Sequence, residues 1–125
     1  TKHLVCQSLL SAVAAKRPAA GLLHHSDRGS QYCARTFRDL LNRYGMRASM
    51  SGKGNCYDNA PMESFWGTLK TEHVFHRQYE TRQQAMREIT EYIEIFYNRQ
   101  RRQKQLGYLA PAVFERQFCE LQLAA

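Results

Sequence analysis

Between residues 2 and 16 the apolar positions Val5, Leu9, Ala12 and Val13 recur at helical spacing, and Arg17-Pro18 ends the pattern. A first helix is predicted there. Gly21 to Ser26 reads as a short buried strand whose two leucines run into the glycine-containing turn after Asp27. From Gln31 to Tyr44 the set Cys33, Phe37, Leu40, Leu41 and Tyr44 marks one face of a second helix, with Ser30 as N-cap and Gly45 just past the end. Met46 to Met50 alternates apolar with polar and lies one helix beyond the first strand. A right-handed crossover would make the two strands parallel.

The glycine-rich loop Ser51-Gly52-Lys53-Gly54-Asn55 follows and is expected to be mobile, having little side-chain mass to hold it. The next helix takes Asp58 or Asn59 as its cap, accepts Pro61 in its first turn and runs to about Glu72. Met62, Phe65, Trp66 and Leu69 form its apolar face, and Glu63, Gly67 and Lys70 lie along the adjoining one. Thr81-Arg82-Gln83-Gln84 has capping-box form and opens a long helix, with Ala85, Ile89, Ile93 and Phe96 in register, that ends near Tyr97-Asn98. A basic cluster, Arg99, Arg101, Arg102 and Lys104, comes next. After a turn at Leu106-Gly107-Tyr108, Pro111 starts a last short helix with Phe114, Phe118 and Leu121 on one face. The class is α/β, with two parallel strands and four to five helices in a single domain. Residues 1–78 form its core, and residues 79–125 the carboxyl-terminal helices and basic tail.

A length of 125 residues allows one domain that buries roughly two thirds of its unfolded surface. Lysine and arginine number 18 against 11 acidic residues, and the resulting charge of +7 favours a polyanionic partner. Cys6, Cys33, Cys56 and Cys119 are widely spaced, with no C-x-x-C pair and no signal peptide, which points to reduced thiols in a soluble, cytoplasmic protein. The apolar run from Leu9 to Ala15 is cut off by Lys16 and Arg17, far short of the roughly 18 residues that would span a bilayer. The chain opens at Thr1 directly in a helical pattern, so an upstream segment is expected to be missing.

Two carboxylates carry the candidate chemistry. Asp27 falls at the carboxyl end of the first strand, where open α/β sheets place their sites, and Glu63, with 35 residues between it and Asp27, lies in the first turn of a helix. Magnesium prefers oxygen ligands and is held by one or two protein carboxylates together with substrate phosphate, which this pair suits. The plain alternatives are a turn residue for Asp27 and a helix-dipole partner for Glu63. Phosphate contacts are assigned to Lys53, Lys70 and the cluster Arg99, Arg101, Arg102 and Lys104, against the alternatives of a solvated lysine and a charge-stabilised helix end. A zinc site from His24, His25, His73, His76 and Cys56 lacks paired ligand motifs. Ser26 beside His25 makes a poor nucleophile, because neighbouring strand residues point to opposite faces.

Taken together, His25-Ser26-Asp27-Arg28-Gly29-Ser30-Gln31-Tyr32, Asp58-Asn59-Ala60-Pro61-Met62-Glu63-Ser64-Phe65, and Tyr97-Asn98 with Arg101 and Leu106-Gly107-Tyr108 resemble the OrfB-type transposases of bacterial insertion sequences. The resemblance runs from residue 20 to 118. It implies a retroviral-integrase-like core of ribonuclease H fold with an Asp, Asp, Glu triad around two Mg2+ or Mn2+ ions. Asp27 would be the second aspartate and Glu63 the glutamate. It further implies DNA as partner (element ends and target), Asn59 among the DNA-contacting residues, self-association or pairing with full-length transposase, and a bacterial, nucleoid-associated location. The first aspartate belongs upstream of the first helix and is not in this chain, so a core truncated at its amino end and weak stand-alone activity are expected. Gln103 departs from the histidine often found there. The rival readings are a DNA-binding or transposase-pairing remnant that inhibits without catalysis, and a structure-specific nuclease on the same fold.

Overall fold

The computed structural model describes residues 1–124, the side chain of Cys56 excepted, so the cysteine of the zinc reading lies outside the described residues. The chain forms two compact units, Thr1–Ser64 and Phe65–Ala125. Among the described residues no helix is long and apolar enough to cross a membrane.

In the first unit, α1 (Lys2–Lys16) leads to β1 (Leu23–Ser26), a single-turn helix α2 (Ser30–Cys33), α3 (Arg35–Arg43) and β2 (Arg47–Met50). The strands pair in parallel, with Leu23 opposite Arg47 and Ser26 opposite Met50. One crossover through helix is what a parallel pair requires. Leu9 of α1, Phe37 and Leu41 of α3, and Met46 form the buried core, with Val5, Val13, Tyr32, Leu40 and Tyr44 packed around it. Gly45 ends α3 at φ +67°, and a Cβ there would stand 3.0 Å from that of Ala20, so both backbone and space call for glycine.

Two expectations change here. The helix from Gln31 to Tyr44 is broken at Ala34, which is extended at φ −59°, ψ 138°, and its N-cap is Gly29, with Ser30 already helical. The break replaces Cys33, which is exposed, by Tyr32 on the inner face. Tyr32 then meets Phe37 edge-on at 5.4 Å. The strand predicted to be buried is open: Leu22 is 49% and Leu23 57% exposed, because β1 has β2 as its one neighbour among the described residues. The Ser51–Asn55 loop is tied at both ends, as described below.

His24 on β1 packs edge-on against Phe37 at 5.3 Å, and burial pulls its pKa below the ordinary 6.5. A base whose folded pKa is depressed contributes stability that is present above pH about 6.5 and lost as pH falls through the folded value. The melting temperature should therefore drop on mild acidification, and less so in His24→Phe. Equal pH dependence in the two proteins would count against this origin.

In the second unit, α4 (Ala60–Glu72), which starts in the first, is followed by α5 (Arg82–Glu91) and α6 (Pro111–Ala124). The Thr81 hydroxyl accepts from the Gln84 amide at 3.0 Å, while the Gln84 side chain reaches the amide of Glu80 rather than that of Thr81. After Glu91 the helix widens to a π-turn over Tyr92–Tyr97, which shifts the buried face away from the 3.6-residue register. Tyr92, at the start of the widened turn and in helical register with Ala85 and Ile89, is 8% exposed, while Phe96 beyond it is 40% exposed. The α4 face is only partly covered: Leu69 is buried, but Met62 and Trp66 are exposed. In α6, Phe114 and Phe118 stack at 6.4 Å yet remain exposed with Leu121.

Candidate functional site

Asp27 and Ser51 are the first residues beyond the parallel ends of β1 and β2, and the Ser51 amide donates to the Ser26 carbonyl at 2.9 Å, extending the pairing by one rung. This is the edge at which open α/β sheets gather their sites. The Asp27 carboxylate is oriented locally, its Oδ1 accepting from the Gly29 amide at 2.7 Å. Across the gap, Arg28 Nε donates to the Ser51 carbonyl at 2.8 Å, joining the two loops.

The glycine loop is held by Asp58. One oxygen of its carboxylate accepts from the Gly52 amide at 2.7 Å and the other from Asn55 Nδ2 at 3.1 Å. The Asn55 side chain in turn accepts from the Tyr57 amide, capping a short 3-10 turn, Cys56–Asn59, that feeds α4. Asn55 therefore takes the capping role expected of Asp58 or Asn59, and Asp58 staples the loop. Glu63 follows, exposed, in the first turn of α4.

Asp27 and Glu63 line one cleft of about 420 Å³, together with Lys53 and Asn59. Arg28, Ser51 and Asn55 complete its walls with Gly52 and Gly54, and charge spacing alone did not single them out. Arg28 was readable as the neighbour of Asp27 in a turn, but its tie to Ser51 joins residues 23 apart. The other predicted contacts belong to the second unit. Lys70 is exposed seven residues beyond Glu63 on α4, and Arg99, Arg102 and Lys104 are exposed. Arg101 is engaged: its Nε donates to both oxygens of Glu72, at 2.7 and 2.9 Å, and its guanidinium stands 5.8 Å from the Tyr97 ring. The Glu72 carboxylate raises the Arg101 pKa further.

The donor set suits a hard cation. Among the described residues the cleft offers two carboxylates with hydroxyl and amide oxygens and no thiol or imidazole, and the Gly29 amide occupies only one Asp27 oxygen. Among the described residues no group of three or more His, Cys, Asp or Glu is placed to hold a metal ion, so the cleft contributes a carboxylate pair.

Gly29 tests how finely Asp27 is set. A Cβ on residue 29 would come within 2.9 Å of Asp27 Oδ1 and 2.8 Å of Gln31 Nε2, while its φ of −54° suits any residue. Gly29→Ala should therefore cost under about 1 kcal/mol in folding, because both obstacles are flexible side-chain ends, yet weaken divalent-cation binding by displacing the carboxylate. Urea unfolding and metal titration read the two effects, and unchanged cation affinity would show that the Asp27 position is not critical.

The integrase core domain family matches this chain in two stretches, residues 1–56 under one model and 63–118 under another. An uncharacterized 31 kDa protein of insertion element IS600 from Shigella sonnei is 54% identical over 97% of this chain and 44% of the relative. The transposase for insertion sequence element IS904 of Lactococcus lactis is 44% identical over 90% of the chain and 45% of the relative. Transposase InsF for insertion sequence IS3A of Escherichia coli is 39% identical over 92% and 40%. The chain spans less than half the length of these curated relatives. With integrase-core matches in both halves and transposase relatives aligned along nine-tenths of its residues, the chain belongs to the insertion-sequence transposases with a ribonuclease H-like integrase core.

Proposed function

We propose that this chain supplies the second aspartate and the glutamate of a divalent-metal site that cuts and joins DNA strands during transposition. The observation that carries the reading is the convergence of Asp27 and Glu63 on one cleft at the carboxyl ends of two parallel strands, with Arg28 and Lys53 beside them. Asp27 and Glu63 would hold Mg2+ or Mn2+, which when bound supplies Lewis-acid stabilisation to a phosphodiester oxygen and a more acidic attacking water or hydroxyl. The chain's own residues orient and attract. The Gly29 amide fixes the Asp27 carboxylate, Asp58 holds the glycine loop at the rim, and the cationic side chains draw in the DNA backbone. The net charge of +7 favours the same partner.

Two carboxylates alone hold the ions weakly, so the chain by itself is read as poorly active. A DNA-binding or transposase-pairing role without catalysis is the second reading, favoured by the absence of a third carboxylate among the described residues of the cleft. A labelled element-end duplex incubated with a full-length transposase carrying this chain, in Mg2+, separates the readings. Joined strands support transposition, cut strands without joining favour a nuclease, and DNA binding without any metal-dependent product overturns catalysis.

A further inference from the structure

Arg28 lies next to Asp27, lines the same cleft and is exposed. Its Nε–H is committed to the Ser51 carbonyl at 2.8 Å. That acceptor is firmly placed: Ser51 is 5% exposed, and its own amide donates to Ser26 at the end of β1. An arginine held by Nε has its plane fixed, while four N–H donors remain on its two terminal nitrogens. Among the described residues no carboxylate forms an ion pair with them.

The charge balance of the cleft gives those donors a use. Asp27 and Glu63, when ionised, attract a metal but repel the phosphodiester that must approach it, so a cation fixed nearby is needed to seat the backbone. Lys53 is the other candidate, but it sits between Gly52 and Gly54 on the exposed loop, as a point charge on a flexible stem. A guanidinium can take two phosphate oxygens at once.

We infer that Arg28 is a phosphate ligand of the cleft: anchored through Nε to the Ser51 carbonyl, it presents its terminal nitrogens to a DNA backbone phosphate beside the two carboxylates. The inference rests on the reading of the cleft as a DNA-processing site, but it concerns a contact that persists without metal. Lysine at this position keeps the charge and loses both the anchor and the fork. Glutamine loses the charge.

Fluorescence anisotropy of a short labelled duplex, titrated with this chain in EDTA over a series of salt concentrations, tests it. Arg28→Gln should flatten the dependence of log affinity on log salt by about 0.9, the value for one lost phosphate contact. Arg28→Lys should keep the wild-type slope with several-fold weaker binding. Lys16→Gln, a charge change at the end of α1, should leave the slope unaltered. An Arg28→Gln protein that melts at a lower temperature but keeps the wild-type slope would reduce Arg28 to a strut and overturn the inference. A slope lowered equally by Lys16→Gln would assign the effect to net charge and overturn it too. If the parent chain shows no salt-dependent DNA binding at all, the DNA reading of the cleft fails and takes the inference with it. An unchanged slope in Arg28→Gln alone leaves the DNA reading standing.

Discussion

Replacing Asp27 by Asn or Glu63 by Gln is expected to lower metal-dependent DNA strand cleavage at least about 100-fold in a transposase that carries this chain. Each substitution keeps the shape and removes the charge that a hard cation needs. Metal assistance to phosphoryl transfer is worth several kcal/mol, and each ~1.4 kcal/mol corresponds to a factor of ten in rate. The folding cost should be small, because both side chains are exposed and the Gly29 amide can still donate to the amide oxygen of an asparagine at residue 27. Single-turnover cleavage of an element-end duplex in Mg2+, with circular dichroism to check folding, measures this. Cleavage within a few-fold of the parent in either folded variant would remove that residue from the metal site.

The second large effect concerns the Glu72 carboxylate in the second unit. It accepts from the Tyr92 hydroxyl at 2.9 Å and binds Arg101 Nε with both oxygens. Removing it in Glu72→Ala leaves a buried phenol and a guanidinium without their acceptor. Charged hydrogen bonds contribute roughly 1.5–3 kcal/mol each when buried. The Arg101 and Glu72 side chains are about a third exposed, at 29% and 34%, so solvent screening brings the expected total to about 2 kcal/mol. Asp39→Ala provides the contrast. Its pair with Arg35 spans 3.8 Å with both side chains largely in solvent, and its loss should cost under about 0.5 kcal/mol. Urea unfolding distinguishes the two, and similar losses would mean that the Glu72 network is no stronger than a surface pair.

The same network has a spectroscopic signature. Burial, then the Glu72 hydrogen bond and charge, push the Tyr92 pKa up to about 12 from 10. For an acid raised in the folded state, the unfolded chain loses its proton first. Stability from this group is therefore intact below pH about 10 and is lost as pH rises towards 12. In Glu72→Ala the phenolate absorbance of Tyr92 should appear at lower pH than in the parent.

Much of the first unit was legible in the sequence. The leucine and valine spacing of α1, the glycine at residue 45 and the β-helix-β alternation each depend on neighbours close in sequence, and the parallel pair follows from them. That Asp27 and Glu63 line one cleft was foreshadowed by local placement, one at a strand end and one in a first helical turn. What stayed hidden is set by contacts distant in sequence. The break at Ala34 follows from turning Tyr32 onto Phe37 and His24, which periodicity cannot express. The π-turn left Phe96 exposed, because a widened helix no longer obeys the 3.6-residue repeat beyond Tyr92. Arg101 looked like one of several equivalent cations, but Glu72, 29 residues earlier, sets it apart from Arg99 and Arg102. Asp58 looked like a helix cap by residue type, yet the Gly52 amide and the Asn55 side chain both reach it first.

Manganese binding followed by nuclear magnetic resonance tests the carboxylate pair most directly. Paramagnetic Mn2+ added to this chain should broaden the amide signals of residues 26–29, 51–55 and 59–63 ahead of all others. Both Asp27→Asn and Glu63→Gln, folded as the parent is, should largely abolish that broadening. Broadening that persists in both variants, or that centres elsewhere in the chain, would contradict a shared metal site at Asp27 and Glu63.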